Sequence, residues 1–122
     1  MKRQKYLVVN EHKASFSYSL IAFEGDRVDV GREDPEMPGW FWCKDSKGVE
    51  MWVPSTYLDI NGARGIFKQD YNSVELNVKV GEIVQYLGET LGWVECLDKL
   101  WCYGWIPKNK LKNIKGIKIK ST

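Results

Sequence analysis

Histidine is nearly missing from this 122-residue chain: His12 is the only one, which leaves no material for a histidine-based catalytic set or a histidine-rich metal centre. Cysteine is scarce as well. Cys43, Cys96 and Cys102 are odd in number and lack a C-x-x-C spacing, so neither a disulfide framework nor a four-ligand zinc site is expected, and a reducing cytoplasm is the expected location. No apolar run approaches the roughly 18 residues of a membrane span. The opening MKRQKYLVVNEHK has basic residues but only a short apolar stretch, Tyr6 to Val9, so no signal peptide is expected. A nucleophile–base pair, a cluster of metal ligands and a phosphate-cradling glycine loop are all lacking, so the chain is expected to be no enzyme and to carry no metal or cofactor. Charge of one sign is also in short supply. The formal net charge of +2 is too small for binding nucleic acid through the whole surface, although six lysines and no acids lie between Lys108 and Thr122, and Glu33, Asp34 and Glu36 crowd one stretch of the first half.

What is present is a repeat. The chain is long enough for one ordinary domain or for two minimal ones of about 60 residues each, and self-similarity decides for two. Gly39-Trp40-Phe41-Trp42-Cys43 lines up with Gly92-Trp93-Val94-Glu95-Cys96, and Trp52-Val53-Pro54-Ser55-Thr56-Tyr57-Leu58 with Trp105-Ile106-Pro107-Lys108-Asn109-Lys110-Leu111, at one fixed offset of 53. Upstream, Leu20 to Asp26 answers Leu76 to Glu82 at an offset of 56. The three extra residues of the first copy fall in Gly31 to Gly39, where two prolines and clustered charge read as an exposed loop. Val28 and Val30, like Val84 and Tyr86, alternate with polar neighbours, as do Phe41 to Cys43 and Val94 to Cys96. No sustained 3.6-residue period appears beyond a single turn around Ser55-Thr56-Tyr57, so the chain is expected to be all-β. Asn61-Gly62 is a turn signal, which places one copy at 1–60 and the other at 63–114. Residues 115–122 form a basic tail, in which Ile117-Lys118-Ile119-Lys120 alternates like an edge strand blunted by lysines.

Glu75-Leu76-Asn77-Val78-Lys79-Val80-Gly81-Glu82 and Trp52-Val53-Pro54-Ser55-Thr56-Tyr57-Leu58 resemble the ELSFxxGD and GYxPxNYL blocks of the SH3 family, above all bacterial tandem or variant SH3 proteins. The resemblance runs from roughly Lys5 to Leu111 and implies two tandem SH3-like small β-barrels. It also implies a ligand groove for left-handed, proline-rich peptides, which lose little entropy on docking. In the first copy it places Trp40, Trp52, Pro54 and Tyr57 in that groove, Glu33, Asp34 and Glu36 beside it as partners for a basic flanking residue, and Asn10 and His12 where the family carries tyrosines. Phe16 and Tyr18 offer replacement surface. In the second copy Trp93, Trp105, Pro107 and Tyr71 are the matching set, with Lys110 in place of the tyrosine.

Simple packing competes with each of these roles. Trp40 and Trp93 lie out of phase with the small residues Cys43 and Cys96, so both tryptophans are expected to be exposed and both cysteines to be inert core. Cys102, aligned with Val49, is expected to be structural, and Trp101 to serve packing or an interface. The leading expectation is a non-enzymatic adaptor that binds a peptide or protein. Its alternatives are a small barrel that stacks bases and tracks phosphates with its lysines, or one that binds cell-wall peptides.

Overall fold

A computed structural model describes residues 4–114, so the alternating segment expected at 117–120 lies outside the described residues. The chain is all-β. Its strands are β1 (Lys5–Val8), β2 (Ile21–Ala22), β3 (Arg27–Glu33), β4 (Trp40–Asp45), β5 (Glu50–Pro54), β6 (Leu58–Asn61), β7 (Arg64–Phe67), β8 (Tyr71–Asn72), β9 (Ile83–Thr90), β10 (Trp93–Leu97), β11 (Tyr103–Pro107) and β12 (Leu111–Asn113). Among the described residues, helix is confined to 3-10 turns at Ser55–Tyr57, as the sequence suggests, and at Lys108–Lys110. No helix among the described residues is long and apolar enough to cross a membrane.

The chain divides into two units, but not at the Asn61-Gly62 turn. One unit is continuous, Ser15–Val74; the other is composite, Met1–Ala14 with Glu75–Thr122. Asn61-Gly62 instead closes a tight hairpin inside the continuous unit, with Asn61 opposite Arg64 and Leu58 opposite Phe67. The continuous unit carries a five-stranded antiparallel sheet in the order β5-β4-β3-β7-β6 and a small β2-β8 pair. The composite unit carries a five-stranded sheet in the order β11-β10-β9-β1-β12. The two orders are the same once β7 is set against β1. Val28 faces Gly65 just as Val84 faces Tyr6, and Leu58 faces Phe67 just as Leu111 faces Val8.

Each unit therefore takes its inner strand from the segment that precedes the other repeat. The reason is steric. A Cβ on Gly65 would stand 3.1 Å from Val30 Cγ2 and 3.3 Å from Val28 Cγ1, so even a methyl group is tight there and a ring would have to push both valines aside. The composite unit has room for a ring at the matching place, where Tyr6 is buried and stacks on Tyr86 with centroids 5.3 Å apart. Exchanging the two strands would force a tyrosine into a glycine's space and leave a void under Tyr86.

Tyr6, Val8, Leu76, Val78, Val84, Val94, Cys96 and Ile106 form the core of the composite unit. Leu20, Val28, Cys43, Met51, Val53, Leu58 and Phe67 are buried in the continuous one. Cys43 and Cys96 are buried as expected, and burial pushes both thiols up to about 12. Cys102 is exposed, which corrects its assignment to a structural strand position: it lies just past a turn, outside the ladder. A thiol reagent at pH 8 is expected to modify Cys102 alone in the native protein and all three cysteines in denaturant; prompt native labelling of a second thiol would contradict the burial. The same shifts make stability fall as pH rises from about 9, where unfolded thiols begin to ionise, towards 12, because the folded thiols stay protonated over that window.

The β4-β5 and β10-β11 hairpins have the same capped turn and different contents. Asp45 Oδ1 accepts the amides of Lys47 and Val49, and Asp98 Oδ1 those of Leu100 and Cys102, all at 2.8–2.9 Å. The left-handed position is Gly48 in the first turn, at φ 86°, and Trp101 in the second, at φ 65°. Trp101 is 66% exposed, so it does not serve packing within its unit, and its backbone carries the strain of a side chain at positive φ. Trp101→Gly is expected to raise stability by about 0.5–1 kcal/mol, the left-handed penalty of about 1–2 kcal/mol offset in part by glycine's larger unfolded-state entropy. A lower denaturation midpoint would mean that the ring contributes more than its backbone costs.

Candidate functional site

The face of the continuous unit formed by β3, β4 and β5 gathers aromatic side chains because the strand period places alternate residues on one side. Trp42 and Trp52 are direct cross-strand partners, with rings 5.1 Å apart and edge to face at 68°. Such a pair contributes about 0.5–1.5 kcal/mol beyond its area. Phe16, from the segment before β2, lies 6.2 Å from Trp42, and Tyr18 lies 5.6 Å from Phe16. The Tyr18 hydroxyl donates to the Glu50 carbonyl at 2.9 Å, which holds that segment against β5. Trp42, Trp52 and Phe16 are half-buried and Tyr18 is 48% exposed, so rings reach solvent along a connected row.

A register break puts a cation over this row. Between Val30, opposite Cys43, and Glu33, opposite Phe41, β3 holds one residue more than β4, and such a bulge re-aims the side chains beside it. Arg32 consequently lies over both indoles, its Cζ 5.4 Å from the Trp42 centroid and 5.3 Å from that of Trp52. The sequence reading of Gly31 to Gly39 as loop hid this, because β3 runs on through Glu33.

The residues assigned from sequence fall into three groups. Trp52 is on the exposed row. Trp40, Pro54 and Tyr57 are buried, which overturns the expected exposure of Trp40. Val53 and Pro54, successive residues on opposite faces of β5, are both fully buried, so both faces are covered at this end of the strand and phase counting from Cys43 misleads. Tyr71, expected in the second copy, lies in the continuous unit: its ring is 5.2 Å from Tyr57 and stacked 5.9 Å from Phe67, and its hydroxyl donates to the Trp52 carbonyl at 3.1 Å. Glu33 and Asp34 are engaged by their own loop, accepting the amides of Gly39 and Glu36 at 2.8 and 2.9 Å. Glu36 is exposed.

Asn10 and His12, expected in the first copy, lie in the composite unit. His12 bridges to Val78 through the backbone, shares a 2.8 Å hydrogen bond between its Nε2 and Glu75 Oε1, and meets Trp93 edge-on at 5.7 Å. It occupies the place that Tyr71 takes in the other unit, opposite Ala22. Trp93 is half-buried opposite Pro107, Trp105 is buried opposite Glu95, and Asn10 is exposed with its amide on the Lys110 carbonyl. Glu95 stands where the continuous unit has Trp42, and it accepts a hydrogen bond from the Tyr103 hydroxyl. Among the described residues, the composite unit therefore has no counterpart of the Trp42–Trp52 pair at these positions.

Among the described residues, no group of three or more histidine, cysteine, aspartate or glutamate side chains converges as metal ligands do. No family model, curated protein or solved structure matches the chain.

Proposed function

We propose that the chain is a non-enzymatic module of two SH3-like units that binds a peptide or protein, with Phe16, Tyr18, Trp42 and Trp52 as the contact surface. The observation that carries this reading is the connected row of partly exposed rings on a sheet whose backbone is fixed by cross-strand pairing on both sides of β4. Rigid aromatic rings supply large contact area at low entropic cost, and prolines pack well on such walls. The SH3-like reading is supported by the common strand order of the two sheets and by the 3-10 turn that leads into β6 and β12 alike. Relative to the groove implied by the resemblance, contact moves from the buried Trp40, Pro54 and Tyr57 towards Trp42 and the segment of Phe16 and Tyr18.

The test is a chemical-shift titration with proline-rich peptides of the wild type, Trp42→Ala and Trp93→Ala. Saturable shifts centred on the Trp42 and Trp52 indoles are expected, weakened at least about tenfold by Trp42→Ala, in the range of an aromatic anchor at an interface, and unchanged by Trp93→Ala. Binding lost in Trp93→Ala but kept in Trp42→Ala would move the site to the composite unit. Absence of any peptide binding, together with shifts from a single-stranded oligonucleotide that fade with salt, would replace this reading by a nucleic-acid one.

A further inference from the structure

We propose that Arg32 makes the aromatic face of residues 15–74 a carboxylate-reading site, so that its ligand is a peptide with one acidic side chain next to its prolines or apolar residues. This inference rests on the peptide-binding reading of the same face. Arg32 is exposed, and its side chain makes no hydrogen bond or ion pair among the described residues; its guanidinium lies near both indoles. With its Cζ 5.4 and 5.3 Å from the two ring centroids, the guanidinium is within cation–π reach of both indoles, an attraction that favours keeping it beside them. A guanidinium matches a carboxylate in a two-pronged hydrogen bond, and one already drawn to the rings loses less freedom on binding than a mobile one.

No acid among the described residues forms an ion pair with it. Glu33 and Asp34, the next two residues in the chain, accept the amides of Gly39 and Glu36 instead. The composite unit supplies an internal comparison. Its residue at the Arg32 position is Gly88, and its residue at the Trp42 position is Glu95, so the same place in the sister sheet carries an acid and no cation. The charge selection is therefore confined to one unit.

Phosphate shares the carboxylate's chemistry, but a polyanion requires a track of cations. Between Arg27 and Pro54 the chain has six acids against four bases, and a net-acidic segment with a single arginine beside the rings suits one carboxylate rather than a phosphodiester chain. The resulting preference is opposite in sign to that implied for Glu33, Asp34 and Glu36 as partners of a basic ligand residue.

The experiment uses the full chain and blocked ten-residue proline-rich peptides in which a single Glu, Gln or Arg is scanned through the positions. Affinities are read from the indole N–H signals of Trp42 and Trp52 and from the Arg32 Nε–H signal. At one position the Glu peptide is expected to bind at least tenfold more tightly than its Gln counterpart, and the Arg peptide more weakly than both. Arg32→Gln is expected to erase the Glu-over-Gln difference while leaving the Gln peptide within twofold of its wild-type affinity. Arg32→Lys, which keeps the charge but not the planar fork, is expected to restore only part of it. Unchanged backbone spectra of both variants exclude misfolding as the cause. Equal binding of Glu and Gln peptides at Trp42 and Trp52, or preference for Arg, overturns the carboxylate site and leaves the module standing. No peptide binding at this face, with or without oligonucleotide binding, overturns the module and the carboxylate site together.

Discussion

A fragment of residues 15–74 is expected to fold alone, and a fragment of residues 1–60 is expected to remain unfolded, although the second spans the whole first repeat. The five-stranded sheet of the continuous unit needs β7 between β3 and β6. Cutting at residue 60 removes β7 and with it Phe67, which is 1% exposed. It also removes the Gly25 and Phe67 amide bonds that tie this strand to the turn before β3, and the Ser73 side chain and backbone that pair with Leu20. Losing one buried phenylalanine side chain costs about 3–5 kcal/mol, against a total of about 5–15 kcal/mol for a whole domain; losing its strand and ladder as well exceeds what a 60-residue unit has. The β1 strand retained in 1–60 is no substitute, since Tyr6 would have to enter the space that Gly65 leaves for Val28 and Val30. Cooperative thermal unfolding and dispersed amide spectra for 15–74, with neither for 1–60, are the expected observations. A folded 1–60 would mean that β1 can pair with β3, and the assignment of inner strands would be wrong.

The second large effect isolates the same pairing by a point change. Phe67 stacks on Tyr71, lies opposite Leu58 and is buried among the side chains of the continuous unit. Phe67→Ala is expected to destabilise that unit by about 3–5 kcal/mol, the transfer loss and the cavity adding. The location of the loss is the informative part. Native-state amide exchange should accelerate in β3, β4, β6 and β7 and stay slow in β9, β10 and β11. By repeat position alone Phe67 belongs with the second copy, which predicts the reverse. Faster exchange confined to β9 and β10 would overturn the observed topology.

Much of this architecture is legible in the residues. The offset of 53 between the tryptophan–proline–leucine blocks locates four strands, the sequence marks the first 3-10 turn, and the small residue three positions after Trp40 and after Trp93 marks the buried Cys43 and Cys96. Pairing partners are not legible in that way. A period of two reports which face a side chain takes and says nothing of which strand lies alongside, so Tyr6-Leu7-Val8 and Gly65-Ile66-Phe67 read equally well in either sheet. The available signal was the contrast in size between Tyr6 and Gly65 at matched positions, and it acquires meaning only with the Val28 and Val30 contacts in place. Trp40 was misjudged because alternation cannot register that both faces of a strand end are covered. The Arg32 position was missed for a related reason: charged residues and two prolines signal a loop, whereas the bulge that carries Arg32 over the indoles is a property of the ladder between β3 and β4.

The way the inner strands are shared also imposes an order on the chain's history. Every strand of the continuous unit is present once residue 74 has been made. The composite unit must hold β1 in waiting until β9 and then β12 arrive, since Tyr6 faces Val84 on one side and Asn113 on the other. Closing so long a loop is slow because its entropy cost precedes any contact that repays it. During synthesis β1 emerges before every other described strand and is thus left waiting for its partners, and in the interval it is an unsatisfied edge with a tyrosine on it. Gly65 acquires a further role in that interval. Because Val28 and Val30 leave only a glycine's space opposite them, β1 with its Tyr6 is the poorer partner for β3, and β7 is expected to win that place once it is made.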